Sequence, residues 1–250
     1  MASVDQGAPL IAHLSELRRR LIYSLVAAAV GFALSYNYSL ELYDILTRPL
    51  IQGMPEGADK YLVFTGIVEP FFIYMKVGFV GSVLFASPVI LFQAWCFIAP
   101  ALHKKEKVWF VALVFSSFVL FIVGVVFSYL VVFPFGFKYL LGYTSEQLRP
   151  MLSMTEYFNL VTKLLLAFGL IFQLPLAMLV LSRMGVVTGR KFLSWWRYAI
   201  IVIMIVAAVL TPTPDVFNQM LMAGPLIVLY GLGVVISIIF GKRKTDESKR

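Results

Sequence analysis

Apolar residues along this chain gather into six long runs separated by shorter polar stretches: Leu21–Tyr36, Phe71–Trp95, Val108–Phe133, Phe158–Ser182, Tyr198–Leu210 and Val216–Phe240. Runs of this length read as membrane spans, and each must be a helix, because hydrocarbon offers no water to unpaired backbone groups. The fifth run is short. Its 13 residues reach only ~20 Å at 1.5 Å per residue, against a hydrocarbon core of ~30 Å. It is read as a short crossing that thins the bilayer, in preference to a half-buried hairpin. The expected fold is all-α, a polytopic six-helix membrane domain over residues 1–240, followed by a disordered cytoplasmic tail over 241–250.

The polar stretches refine this picture. The first outer stretch, about Asn37–Pro70, carries Leu40, Leu42, Tyr43, Ile45 and Leu46, a pattern that predicts a short amphipathic helix ending near Pro49. Pro88 and Pro225 lie inside the second and sixth runs and predict bends. Thr211-Pro212-Thr213-Pro214-Asp215 predicts a tight turn, with Thr213 or Asp215 capping the last helix.

Charge sets the orientation. With the N-terminus inside, 15 of the 21 Lys and Arg fall on the cytoplasmic side; the other six are Arg48, Lys60, Lys76, Lys138, Arg149 and Lys163. That asymmetry, with basic segments at both chain ends, predicts an even number of crossings and both termini in the cytoplasm. The net charge of +8 therefore reflects topology, and no nucleic-acid partner is expected. Composition agrees: 60% of residues are hydrophobic and 14% charged, against about 25% charged in soluble domains, and the mean hydropathy is +0.89. The basic start and first apolar run resemble a secretory signal, yet no small-residue cleavage site follows Tyr36, so a retained first helix is expected. The one cysteine, Cys96, excludes an internal disulfide and reads as a small core residue.

Four stretches could carry chemistry. In Pro9–Arg20, Leu10, Ile11, Leu14, Leu17 and Leu21 form an apolar helical face. Glu16 and Arg20 stand i,i+4 and can pair, or Glu16 can receive an incoming cation. His13 reads as an interfacial bystander. In Gln93–Lys107, the apolar Phe97, Ile98 and Leu102 lie beside Glu106, the only acid among His103, Lys104, Lys105 and Lys107. Glu106 is either one member of a solvated charged face or a receptor carboxylate able to grip a guanidinium in a bidentate fork. Gln173, with Pro175 in the fourth run, is a helix-packing amide or a polar site for a partner helix. Thr211, Asp215 and Asn218 form a cap, or a polar edge reaching into the membrane. There is no HExxH, no nucleophile–histidine pairing and no mid-span acid. This argues against an enzyme and against the main alternative, a small-solute secondary transporter. No metal or other cofactor is called for.

Read together, these stretches resemble a known family. Leu14-Ser15-Glu16-Leu17-Arg18-Arg19-Arg20-Leu21 resembles the N-terminal motif of the TatC family. Ser87–Leu102 followed by Glu106 resembles its first cytoplasmic loop. Ala167-Phe168-Gly169 with Phe172-Gln173-Leu174-Pro175 resembles its fourth helix, and Leu210-Thr211-Pro212 with Pro214–Gln219 its last outer turn. The resemblance spans the chain in order. It implies six helices in a concave bundle with short fifth and sixth helices, placed as a multi-pass protein of the bacterial inner membrane. It also implies a receptor that binds the paired arginines of signal peptides through Glu16, Phe97 and Glu106. Such a receptor assembles as a homo-oligomer with single-span TatA and TatB and exports folded proteins at the expense of the proton-motive force. Pro49, Pro88 and Pro100 are expected to be structural. Gln173 departs from the family, which often has glutamate there, and a neutral amide removes any proton-relay role.

Overall fold

The computed structural model describes residues 7–54, 61–98, 107–142, 151–211 and 215–241. Among them are ten α-helices: α1 Gly7–Tyr36, α2 Ser39–Gly53, α3 Glu69–Ile98, α4 Lys107–Phe127, α5 Phe133–Leu141, α6 Met154–Ile171, α7 Leu174–Arg183, α8 Gly189–Ser194, α9 Trp196–Leu210 and α10 Val216–Phe240. A π-helical turn, Ser128–Val132, joins α4 to α5 without a break. The protein is an all-α polytopic membrane protein, and its apolar helices occupy all six expected positions. Glu69–Ile98, Lys107–Leu141, Met154–Arg183 and Val216–Phe240 are each long and apolar enough to cross alone. The helix over His13–Tyr36 forms a bent pair with α2 at 83°. The 15 residues of α9 reach ~22 Å, matching the short fifth run. The shortness implied for the sixth helix is not seen, because α10 is continuous over 25 residues. Residues 242–250, most of the expected tail, lie outside the described residues.

Pro49 behaves differently from expectation. Instead of ending near Pro49, α2 runs through it to Gly53. A proline deprives the carbonyl four residues earlier of its donor. Here that carbonyl, Ile45 O, accepts the Tyr129 hydroxyl at 2.7 Å. The neighbouring Leu46 O accepts the buried Tyr157 hydroxyl at 2.6 Å. Likewise α3 continues through Pro88, and Leu84 O, the acceptor Pro88 cannot serve, takes the Ser87 hydroxyl at 2.7 Å. In the fourth run the chain does break: α6 ends at Ile171 and α7 starts at Leu174, with Pro175 in its first turn.

Small residues bring α1 against α3. A Cβ on Gly31 would stand 2.9 Å from Ser82 O. Ser82 donates to Ala28 O at 2.6 Å, and Ser35 donates to Gly31 O and Gly78 O, both at 2.7 Å. With little hydrophobic drive between helices in lipid, close packing and hydroxyl bonds hold such pairs together. The central core gathers around α6, where Phe158, Val161 and Phe168 are fully buried. A second cluster of Trp95, Cys96, Phe110, Leu113, Leu176 and Val180 fills the space between α3, α4 and α7, so Cys96 is a core residue. At the opposite end, Val63 pairs with Ser153 in an isolated parallel bridge. Val63 N donates to Leu152 O and Met154 N to Val63 O, both at 2.9 Å.

Candidate functional site

The start of α1 and the end of α3 meet through side chains. Arg20 Nε donates to Glu16 Oε1 at 3.0 Å, and one terminal guanidinium nitrogen reaches the same oxygen. The other terminal nitrogen donates to Gln93 Oε1 on α3 at 3.2 Å. Helical spacing alone brings Glu16 and Arg20 together; the Gln93 bond then ties that pair to the second helix. Among the described residues no donor reaches Glu16 Oε2. The Glu16 side chain is 34% exposed and that of Arg20 17%. The hydrogen bond from Arg20 holds the Glu16 carboxyl below the usual carboxylate range. One turn earlier, His13 stacks on Phe97, with ring centroids 4.4 Å apart and planes 18° from parallel. Phe97 is half-buried, Ile98 beyond it is exposed, and Arg18 and Arg19 are exposed.

Two of the three expected recognition residues, Glu16 and Phe97, therefore belong to one end of the α1–α3 pair. Glu16 is held by an internal arginine rather than standing open. Glu106, and Pro100 with it, lie outside the described residues. The same end of the molecule includes Trp109 near the start of α4, with the Arg183 guanidinium 4.0 Å over its ring. Arg183 Nε also donates to Phe240 O at 2.8 Å, joining the ends of α7 and α10.

The second group of expected residues is divided. Gln173 sits in the break between α6 and α7. Its Nε2 donates to Ser117 O at 3.0 Å, and its Oε1 accepts the Ser117 hydroxyl. Ser117 Oγ in turn accepts from Trp95 Nε1 at 2.8 Å. The amide thus serves helix packing between α3, α4 and the break. Thr211, Asp215 and Asn218 stay together at the turn between α9 and α10. Thr211 Oγ1 donates back to Ala207 O at 2.8 Å. Of the two candidate caps, Thr213 lies outside the described residues, and Asp215 performs the capping. Its Oδ1 accepts from Asn218 N at 2.8 Å and its Oδ2 from Asn218 Nδ2 at 3.0 Å. Asn218 is 1% exposed, so polarity does enter the core there. Gln219 reaches across to α9, its Nε2 donating to Met204 O at 3.2 Å.

Sequence reasoning missed four partners: Gln93 for Arg20, His13 for Phe97, and Ser117 with Trp95 behind it for Gln173. The signal for Ser117 was available, because a hydroxyl inside an apolar run needs an acceptor and often supplies a neighbouring helix.

Comparison with known proteins is decisive at the level of family. Residues 12–225 match the family model for TatC, Sec-independent protein translocase protein. The TatC protein of Desulforapulum autotrophicum is 41% identical over 249 residues, covering 100% of this chain and 91% of that protein. The TatC protein of Escherichia coli strain K12 is 37% identical over 246 residues, covering 98% and 94%. A crystal structure described as the twin arginine translocase receptor TatC superposes with a TM-score of 0.80 at 37% identity, covering 91% of this chain and 98% of that one. The sequence motifs, the helix order and these likenesses agree, and the chain belongs to the TatC family of Sec-independent protein translocase components.

Proposed function

We propose that this chain is the receptor subunit of a twin-arginine translocase, binding twin-arginine signal peptides with Glu16, Phe97 and Glu106 at the cytoplasmic face of a bacterial inner membrane. Both termini face the cytoplasm. The chain assembles with further copies of itself and with single-span TatA and TatB, and the proton-motive force drives export of folded cargo. The turn holding Thr211, Asp215 and Asn218 offers a polar edge to a partner helix. Gln173 lies apart from this edge, closed against Ser117 on α4.

The observation that carries the reading is that Glu16, clasped by Arg20, and Phe97, stacked on His13, fall at the same end of the α1–α3 pair, near the exposed Arg18 and Arg19. Both Arg20 bonds fall on one Glu16 oxygen, and the Glu16 side chain is 34% exposed, which leaves the carboxylate able to accept a further cation. A signal-peptide guanidinium shares the carboxylate there, or displaces Arg20 and frees it from Gln93. Arginine is required because its planar fork can bridge two acceptors, whereas an ammonium is a point charge. Phe97 and Ile98 supply apolar surface for the segment that follows the arginines.

Direct binding tests this. The purified chain should bind a twin-arginine peptide more tightly than its double-lysine variant. Glu16→Gln and Glu106→Gln should each weaken binding about 10- to 100-fold, the equivalent of losing one charged hydrogen bond of ~1.5–3 kcal/mol. Phe97→Ala should weaken both peptides alike. Equal affinity for the two peptides, or full affinity in both glutamine variants, would refute the proposal.

A further inference from the structure

A cavity of about 410 Å³ opens between the start of α7, α8, α9 and α10, lined chiefly by Phe192, Trp195, Tyr198, Val202, Ile203 and Tyr230. That volume falls within the ~300–1,000 Å³ of sites that bury a small ligand. Its inner wall is apolar: Phe192, Ile203 and Tyr230 are buried, and the Tyr230 hydroxyl is already spent on Phe192 O at 2.7 Å. Its mouth is aromatic and exposed, with Trp195 at 40% and Tyr198 at 70%, the residue types that sit at membrane–water boundaries. Val202, one turn below Tyr198, is also exposed, so the groove faces hydrocarbon.

The rim is strongly one-signed. Lys191 Nζ stands 5.1 Å over the Trp195 ring. Arg190, Lys191 and Arg197 are all exposed. No acidic residue occurs anywhere between Glu156 and Asp215. A hydrocarbon slot beneath a cationic rim fits a molecule with an apolar tail and an anionic head. Such a rim repels a cationic signal peptide.

We infer that this groove binds an anionic phospholipid, one acyl chain lying along Phe192, Ile203 and Tyr230 and the phosphate held by Lys191. The site is separate from the Glu16–Phe97 end and does not depend on what cargo the protein carries.

Fluorescence quenching in nanodiscs of defined composition tests it on the full-length chain. Phosphatidylglycerol or phosphatidylcholine with brominated acyl chains is titrated into a phosphatidylcholine background. The contribution of Trp195 is the difference between wild type and Trp195→Phe. In wild type, brominated phosphatidylglycerol should quench that contribution at a lower mole fraction than brominated phosphatidylcholine, on the order of five-fold per cation engaged. Lys191→Gln should abolish the preference, and Lys191→Arg should retain it. Ala199→Leu, which fills the groove, should reduce quenching by both lipids. Equal quenching by the two lipids in wild type, or a preference that survives neutralisation of Lys191, would overturn the proposal. So would displacement of the brominated lipid by a synthetic amphipathic peptide with an acidic face, which would make the groove a protein-docking site.

Discussion

The passage of α2 through Pro49 gives a sharp test of how this fold is held. Pro49 has no N–H, and the acceptor it abandons, Ile45 O, is served by Tyr129 from the π-helical turn. Tyr129→Phe removes that donor and leaves a carbonyl short of a partner beside lipid. A net hydrogen bond contributes about 0.5–1.5 kcal/mol and an orphaned polar group costs ~1–3 kcal/mol. Tyr129 is half-buried, which places the expected loss near the lower end, at about 1–2 kcal/mol. For a chain of this size that is a fall of roughly 2–8 °C in Tm, measurable by thermal unfolding in detergent. The decisive arm is the second background. Pro49→Ala restores an N–H that can bond Ile45 O within the helix, so Tyr129→Phe added to Pro49→Ala should cost less than about 0.5 kcal/mol, as expected when two routes serve one acceptor. An equal Tm loss in both backgrounds would show that Tyr129 stabilises the protein by some other contact.

Further expectations follow from the same kind of reasoning. Ser117→Ala should cost ~2–4 kcal/mol by stranding Trp95 Nε1 and loosening Gln173, and adding Trp95→Phe should recover part of it, since removing both partners of a buried bond is far milder than removing one; strictly additive unfolding losses would count against the network. Gly31→Ala should destabilise by about 1–3 kcal/mol, because its Cβ would press Ser82 O at 2.9 Å and the helices would have to part; unchanged thermal stability would contradict the close approach. Asp215→Ala should cost about 1 kcal/mol of cap energy while Asp215→Asn largely retains it, read by the same unfolding assay. The Glu16 carboxyl is depressed below its ordinary value of 4.5 by Arg20, so the clamp is complete above that value and is lost only as pH falls through the depressed one. Between about pH 6 and 8, twin-arginine peptide binding should not vary through Glu16, and a pH dependence in that range that vanishes in Glu16→Gln would refute the assignment.

The sequence shows this molecule unevenly. Span positions are legible because a bilayer permits one solution for a long apolar run. The fifth span, expected at Tyr198–Leu210, is found at Trp196–Leu210. The Glu16–Arg20 pair is legible for an equally local reason, the helical repeat. What escapes is set by partners distant in sequence. Arg20 and Gln93 are 73 positions apart, Ser117 and Gln173 are 56, and Tyr129 lies 84 beyond Ile45. Pro49 reads as a helix terminator to any local rule, and only the arrival of a remote hydroxyl makes it an interior residue. The candidate site is half legible for the same reason. Its acid, the arginine that clasps it and its aromatic ring can be named from the sequence, but that the clasp is tied to Gln93 and the ring stacked on His13 depends on how α1 lies against α3.

The parallel bridge between Val63 and Ser153 has a mechanical consequence. Val63 lies six residues before α3, and Ser153 immediately precedes α6, so the two helices start from a common rivet. The bridge fixes how far apart the two helices begin. The 30 residues of α3 carry the chain ~45 Å onward, to a far tip where Trp95 and Cys96 are packed against α4 and α7. The end that would grip an arriving peptide is thus moored a second time, independently of this bridge.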